Sequence, residues 1–329
     1  MKPWREELLS VLGEGKDAFV SGEDLAARFG CSRAAVWKKI SILRSEGHPI
    51  EAVTNRGYRM TDGAPAMKTA IDRELKEAGL EDLFRISVTD STPSTNLLAR
   101  DAGLKGEPEF SVFVTRQQTA GRGRRGRTWI SEPDSALLFS VLLRPDVPPA
   151  EASMLTLLFG LCILDALEGL CNIPVGIKWP NDIVSLQNGK KLCGILSETS
   201  MEENRISYAV AGCGINLSQK EFPSAIEDKA TSLTLEGFEV RKEVLLAAIL
   251  REIARRYPRF LLSPSAFLPE YRANCATLGR RIRTGDEGIK EGIATDIDDR
   301  GDLLVQWADG TVQALSSGEV SVRGMLGYF

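Results

Sequence analysis

Apolar positions recur at helical spacing at the start of the chain, in strand-like runs and long helices through the middle, and in short bursts broken by turns at the end. Trp4 to Leu12 and Gly22 to Phe29 predict two helices, the second followed by the tight turn Gly30-Cys31. Ser32 can cap a third helix that runs to about Glu46 and buries Val36, Ile40 and Leu43 at i, i+4 and i+7. Pro49 to Val53, the turn Thr54-Asn55-Arg56-Gly57 and Tyr58 to Met60 then read as a two-stranded wing. Asp62-Gly63-Ala64-Pro65-Ala66 has linker composition and marks a boundary.

Beyond that boundary the pattern predicts a charged helix over Ile71–Ala78 and a strand over Phe84–Thr89. The polar stretch Asp90 to Asn96, DSTPSTN, leads into a helix over Leu97–Asp101; strands follow over Ser111–Thr115 and Ala136–Leu143. Pro148-Pro149 opens a long helix, Glu151 to Leu170, apolar on more than one face and therefore a core helix. In Val175 to Val184 a strand brings Lys178 against Trp179 and stops at Pro180-Asn181-Asp182. Lys191–Glu198 and Tyr208–Ser218 read as consecutive strands, in which Gly212 and Gly214 leave room for a ligand or another backbone. Lys242–Phe260 is a second long helix, burying Leu245, Leu246, Ile249, Ile253 and Tyr257. After about Leu278, Ile293–Ile297, Leu303–Trp307 and Thr311–Leu315 alternate with turns and read as a small β-barrel.

Composition narrows the picture. The 329 residues, 43% apolar, suffice for two or three domains with a buried core. A net charge of -4 argues against a surface coated in positive charge, so any nucleic-acid contact must come from local basic clusters. The N-terminal MKPWREELLS places Glu6 and Glu7 where a signal peptide needs an apolar run. The oily run Met154–Leu164 is too short to span a bilayer, so a soluble cytoplasmic protein without membrane contact is expected. Six cysteines without a CxxC pair indicate neither a zinc site nor a disulfide framework. His48, the single histidine, reads as a loop residue, which excludes histidine-based triads.

Two basic clusters carry candidate chemistry. Arg116 to Arg127, RQQTAGRGRRGR, holds five arginines and three glycines without an acid. Guanidinium groups grip carboxylate or phosphate, and glycines let backbone N–H groups approach a ligand, so the stretch predicts an anion-grasping loop, mobile when empty. A solvated or nucleic-acid-binding basic segment is the other reading. Lys178, among apolar strand residues, needs an anion to offset its desolvation, unless it snorkels beside the Pro-Asn-Asp turn. Ser94, Thr95 and Asn96 can cap a helix or present hydrogen bonds to a polar ligand. In the N-terminal unit no acid falls between Ser32 and Arg44, and Arg33, Trp37, Lys38 and Ser41 lie opposite the buried stripe. That is the pattern of a helix-turn-helix recognition helix, with Arg56 at the wing tip. A protein-docking or purely structural three-helix bundle is the alternative, and Trp37 could equally be a core residue. Ten Lys/Arg against nine Asp/Glu over residues 1–63 imply modest, salt-sensitive DNA affinity.

GRGRRGRTW, IKWPND, GILSE and GINLS stand in one order at compatible spacings, and together they resemble the biotin protein ligases. With the N-terminal unit the whole chain looks like the bifunctional kind that also represses biotin operons. The resemblance implies an α+β protein: a winged helix-turn-helix over 1–63, a class II synthetase-like catalytic domain over 68–276 and an SH3-like β-barrel over 277–329. It implies activation of biotin with ATP to biotinyl-5'-AMP, Mg²⁺ entering with the phosphates, and transfer to a lysine of a biotin carboxyl carrier protein. The adenylate would act as corepressor, promoting a homodimer on operator DNA.

Carried over by motif, Ser94, Thr95, Asn96 and Gln118 resemble the biotin contacts, and Arg122, Gly123 and Arg124 the loop that closes over biotin and the adenylate. Lys178 resembles the lysine that meets the biotin carboxylate and phosphate; with Arg122 and Arg124 it makes the expected catalytic set. Trp129, Asn181 and Asn216 are expected near the adenylate, and Ser32, Arg33, Trp37, Lys38 and Arg56 at the DNA. The family's plain DSTN appears here as DSTPSTN, which makes Ser91-Thr92 a rival to Ser94-Thr95. A lipoate ligase of similar fold is disfavoured by GRGRRGR and KWPND. A small-acid sensor that no longer catalyses is disfavoured by Lys178 and the intact arginine loop.

Overall fold

The computed structural model describes residues 4–14, 18–45, 48, 50–54, 56–60, 63–284, 290–316 and 322–324; the expectations placed on Glu46, Pro49, Asn55 and Asp62 lie outside them. Helices α1 (Trp4–Glu14), α2 (Gly22–Arg28) and α3 (Arg33–Ser45) enclose a small apolar core of their own, to which Leu8, Leu12, Leu25, Val36, Ile40 and Leu43 contribute. The Ser21 hydroxyl accepts the N–H of Asp24 at 3.0 Å and that of Ser32 accepts the N–H of Ala35 at 3.2 Å, so each of α2 and α3 starts on a serine cap. Strands β1 (Ile50–Val53) and β2 (Gly57–Met60) pair antiparallel, with Ile50 opposite Met60.

The middle of the chain begins earlier than its composition suggests. Residues 64–66 of the stretch read as a linker lie in the first turn of α4 (Ala64–Glu77), because Pro65 suits the first helical turn, where its missing N–H costs nothing. Then follow β3 (Arg85–Thr92), α5 (Thr95–Leu104), β4 (Ser111–Gln118), β5 (Ala136–Leu143), α6 (Met154–Cys171), β6 (Val175–Lys178), β7 (Asp182–Ser185), β8 (Lys191–Glu202), β9 (Arg205–Asn216), α7 (Lys242–Leu262) and α8 (Leu268–Ala273). The strands form one sheet in the order β3-β4-β5-β9-β8-β7-β6. Only β3 and β4 run parallel; the other neighbours are antiparallel. The strand expected to stop at Pro180-Asn181-Asp182 is followed at once by β7, and the two form a hairpin reversing at Trp179-Pro180-Asn181.

Helices α6 and α7 pack on each other and on one face of the sheet, while α5 covers the other face through Ala99, Ala102, Phe113, Leu142, Tyr208 and Val210. The helical stretch Pro149–Cys171 is, by length and composition, able to cross a membrane, which corrects the estimate from Met154–Leu164 alone. Most of α6 is nevertheless buried within the protein, as a core helix must be.

At the C-terminal end β10 (Arg281–Thr284), β11 (Glu291–Ile297), β12 (Leu303–Trp307), β13 (Val312–Leu315) and β14 (Val322–Gly324) form an antiparallel sheet in the order β13-β12-β11-β10-β14. Its inward residues Ala294, Ile297, Leu303 and Val305 belong to the same continuous core as α6 and α7. The Trp179 indole N–H donates to the carbonyl of Gly301 at 3.0 Å, fastening the β6–β7 turn to this sheet.

Candidate active site

Strands β3 and β4 end side by side, Thr92 opposite Gln118, and the chain turns at Pro93 into α5. Ser94, which precedes α5, and Thr95 and Asn96 in its first turn are each 3% exposed, so their polar atoms need partners. The N–H of Thr95 donates to Gln118 Oε1 at 2.9 Å. Asn96 Nδ2 donates to the Leu196 carbonyl at 3.1 Å and to Glu198 Oε2 at 2.8 Å. The fully buried Ser140 hydroxyl lies 2.7 Å from Asn96 Oδ1 and 2.8 Å from Thr95 Oγ1. Sequence reasoning missed Ser140, although a lone hydroxyl inside ALLFSVLL was a signal that a polar group waits on the other side of β5.

Beside this polar end lies a floor of glycines. Gly194 on β8 stands directly opposite Gly214 on β9. A Cβ at Gly214 would lie 2.6 Å from the Trp129 ring, and one at Gly194 2.8 Å from Lys191 Nζ. At Gly212 the clash would be closer still, 1.8 Å from Asn96 Oδ1. A side chain at Gly212 or Gly214 would have to displace buried Asn96 or the Trp129 ring, so glycine there lets the sheet carry side chains of the opposing wall against its backbone.

The arginine loop forms that wall. Trp129 N–H donates to Gly121 O at 3.0 Å and Gly123 N–H to Arg127 O at 2.7 Å, so the loop folds back on itself around a short turn at Arg124–Gly126. Arg124 Nη1 donates to Asn181 Oδ1 at 2.9 Å, and Arg122 Nη1 reaches Glu198 Oε1 at 3.4 Å. Arg116 serves differently. Its guanidinium binds Asp134 and Asp90, and this hydrogen bonding raises its pKa while holding the Asp134 carboxyl below the usual carboxylate range.

Ser94, Thr95, Asn96, Gln118, Arg122, Gly123, Arg124, Trp129 and Asn181 line one cavity over Gly194, Gly212 and Gly214. Lys178 is not among its lining residues, and neither is Asn216. Lys178 is buried on β6 opposite Asp182. Asn216 ties down the segment after β9, donating to Thr231 O at 2.9 Å and accepting from Gln219 at 3.1 Å. The lysine that does line the cavity is Lys191, at the start of β8. Its ammonium lies 2.6 Å from Asp182 Oδ1 and 5.7 Å from the Trp129 ring centre. Its backbone is held by the 229–231 segment, N–H to Lys229 O at 2.8 Å and O from Thr231 N–H at 2.9 Å. Of the two hydroxyl pairs in DSTPSTN, Ser94-Thr95 faces the cavity and Ser91-Thr92 sits on β3. Cys213 also lines the cavity, but burial pushes its thiol far up, so no thiolate nucleophile is offered there.

A model of the biotin/lipoate A/B protein ligase family matches residues 87–216, an HTH domain model residues 5–59, and a biotin protein ligase C-terminal domain model residues 277–323. Over 321 residues the chain is 35% identical to the bifunctional ligase/repressor BirA of Bacillus spizizenii, covering 95% of this chain and 97% of that protein. It belongs to the biotin protein ligase family. The BirA of Escherichia coli is 31% identical over 96% of each chain. Among solved structures, the biotin protein ligase of Aquifex aeolicus in complex with biotin and ATP aligns at a TM-score of 0.62 and 28% identity, covering 73% of this chain and 99% of that one.

The residues expected at DNA lie on the N-terminal unit and are not part of this cavity's lining. Ser32 acts as the cap of α3, and Arg33, Trp37 and Lys38 are exposed along that helix. Exposed Arg56 carries its guanidinium 4.5 Å above the Phe19 ring, with Arg59 at 4.8 Å, a pair of stacked cations on the wing.

Proposed function

We propose that this member of the family activates biotin with ATP, transfers it to a lysine of a biotin carboxyl carrier protein and, with the adenylate bound, represses transcription of biotin genes. One observation carries the ligase reading. Arg122, Arg124 and Lys191 converge on a glycine-floored cavity whose far end holds Ser94, Thr95, Asn96 and Gln118. The polar end suits a small heterocycle rich in amide-like groups, and the cations suit the acid at the other end of its chain.

Biotin carboxylate is ionised at neutral pH and needs no base. The obstacle is the approach of two anions, which at 4 Å repel by about 4 kcal/mol at the dielectric of a partly exposed site. Arg122, Arg124 and Lys191 offset that charge while the carboxylate oxygen bonds to the α-phosphorus and the bond to pyrophosphate breaks. Lys191 takes the part that the motif first suggested for Lys178. Trp129 and Asn181 flank the adenylate. Mg²⁺ entering with the triphosphate supplies further charge neutralisation; the lining ammonium, guanidinium, amide and hydroxyl groups suit phosphate oxygens. In the second step a neutral carrier lysine amine attacks the acyl carbon, AMP leaves with the bonding electrons, and the amine nitrogen gives up a proton to solvent. The arginine loop excludes water from the anhydride until then.

The helix-turn-helix unit supports the regulatory half. The adenylate, held under ordered loops, serves as corepressor and promotes a homodimer that presents two recognition helices to operator DNA in the cytoplasm. The test mixes the protein with biotin, ATP, Mg²⁺ and a carboxyl carrier domain, then probes the carrier with streptavidin. Labelling with biotin is expected, and transfer of lipoate instead would assign the chain to the sister activity. DNA binding with and without biotin plus ATP tests repression; equal binding in both would remove the adenylate as signal.

A further inference from the structure

Trp37 is 63% exposed, on a helix that already buries Val36, Ile40 and Leu43 on its inward face. An indole left in water forgoes one of the largest burial gains any side chain offers, so its position asks for an occupant. Its neighbours say which kind. Arg33 lies one turn before it and Arg44 two turns after it, at i-4 and i+7, while Lys38 follows directly; all three are exposed. No acid occurs from Ser32 through Arg44. A second copy of the same helix would bring like charges together, and a neutral apolar groove would strand the cations. The partner must carry dense negative charge with small apolar groups recessed between the charges. The major groove of DNA has that chemistry, with phosphates along its rims and the thymine 5-methyl on its floor.

We infer that Trp37 reads thymine: its indole packs against the 5-methyl group of a thymine in the operator's major groove, while Arg33 and Lys38 hold the adjacent phosphates. This rests on the repressor reading and adds a sequence-reading residue to it. Trp37 is the fifth residue of α3, in the half of a recognition helix that lies nearest the base edges. The wing arginines, stacked on Phe19, are positioned to grip backbone and leave sequence reading to the helix.

The probe is a duplex selected from a random pool by the full-length protein with biotin, ATP and Mg²⁺. Each thymine of the enriched duplex is then replaced in turn by deoxyuridine, which lacks only the methyl group. Replacement at the thymine that Trp37 contacts is expected to weaken binding about 3- to 10-fold, the worth of one buried methyl. Trp37→Ala is expected to bind the unmodified duplex more weakly by a similar factor, with an unchanged salt slope, and to be blind to that replacement. In Arg33→Ala the methyl effect remains, and the salt slope falls by about one phosphate contact. Trp37→Phe, which keeps an aromatic face, retains part of the methyl effect, and circular dichroism of the variants checks that the helices persist. Should no sequence be enriched, the repressor reading fails and this inference with it. Should a sequence be enriched while Trp37→Ala keeps the full deoxyuridine penalty, the inference alone is overturned.

Discussion

Lys191 lines the cavity with its ammonium 2.6 Å from Asp182 Oδ1, while Lys178 stands opposite the same aspartate on β6. Lys178 stands out in VGIKWPND because a cation among apolar residues demands an explanation, yet that string places it on β6 facing Asp182, outside the cavity lining. Lys191 looks ordinary in NGKKLCG, and it is the pairing of β8 with β7 and with the 229–231 segment that brings it to the cavity. A cue existed: Gly194, three residues on, leaves space for its ammonium. Lys191→Gln is expected to slow biotinyl-AMP formation by roughly 10²- to 10³-fold, the size of a lost charge-stabilising contact, in a pyrophosphate-release assay. A larger loss in Lys178→Gln would reinstate the buried lysine. The pH dependence has its own residue. Asp134 is held down by its hydrogen bonds to Arg116, so its stabilising contribution is complete above the ordinary carboxylate value of roughly 3.9 and disappears as pH falls through the lowered folded value. Asp134→Asn should therefore melt earlier than the parent protein at pH 6. The gap should close in acid below about pH 4, as read by thermal scans.

At the scale of elements, the helices were legible because their apolar stripes and caps are local. Val36, Ile40 and Leu43 are buried as their spacing requires, and α6 is the core helix that its all-round apolarity implies. The stop at Pro180-Asn181-Asp182 was legible, but the return strand β7 was not, because a strand buried on both faces has no alternation to read. Register, too, is invisible locally: nothing in the string announces that Gly194 meets Gly214 or that Thr92 meets Gln118. The glycine floor gives a direct test. Gly212→Ala would drive a methyl into Asn96 Oδ1 and displace a buried amide that serves Leu196, Glu198 and Ser140. An unsatisfied polar group of this kind costs about 1–3 kcal/mol, so biotin affinity by calorimetry should drop roughly 10- to 100-fold.

For the whole molecule, the distribution of apolar cores predicts how it comes apart. The N-terminal helices enclose a core of their own, whereas the sheet of β10–β14 shares one core with α6 and α7. Calorimetry should resolve the N-terminal unit as a separate transition and the remaining chain as a single one; three independent transitions would contradict a shared core. The Trp179–Gly301 hydrogen bond extends that coupling to chemistry, because the turn it fastens also carries Asn181, the partner of Arg124. Trp179→Phe keeps the ring and deletes the donor, and adenylate should escape faster from that variant in a filter-retention assay while biotin itself binds as before. Distant damage in the terminal sheet would thus surface as leakage: an enzyme intact in outline that squanders its activated intermediate on solvent before a carrier arrives.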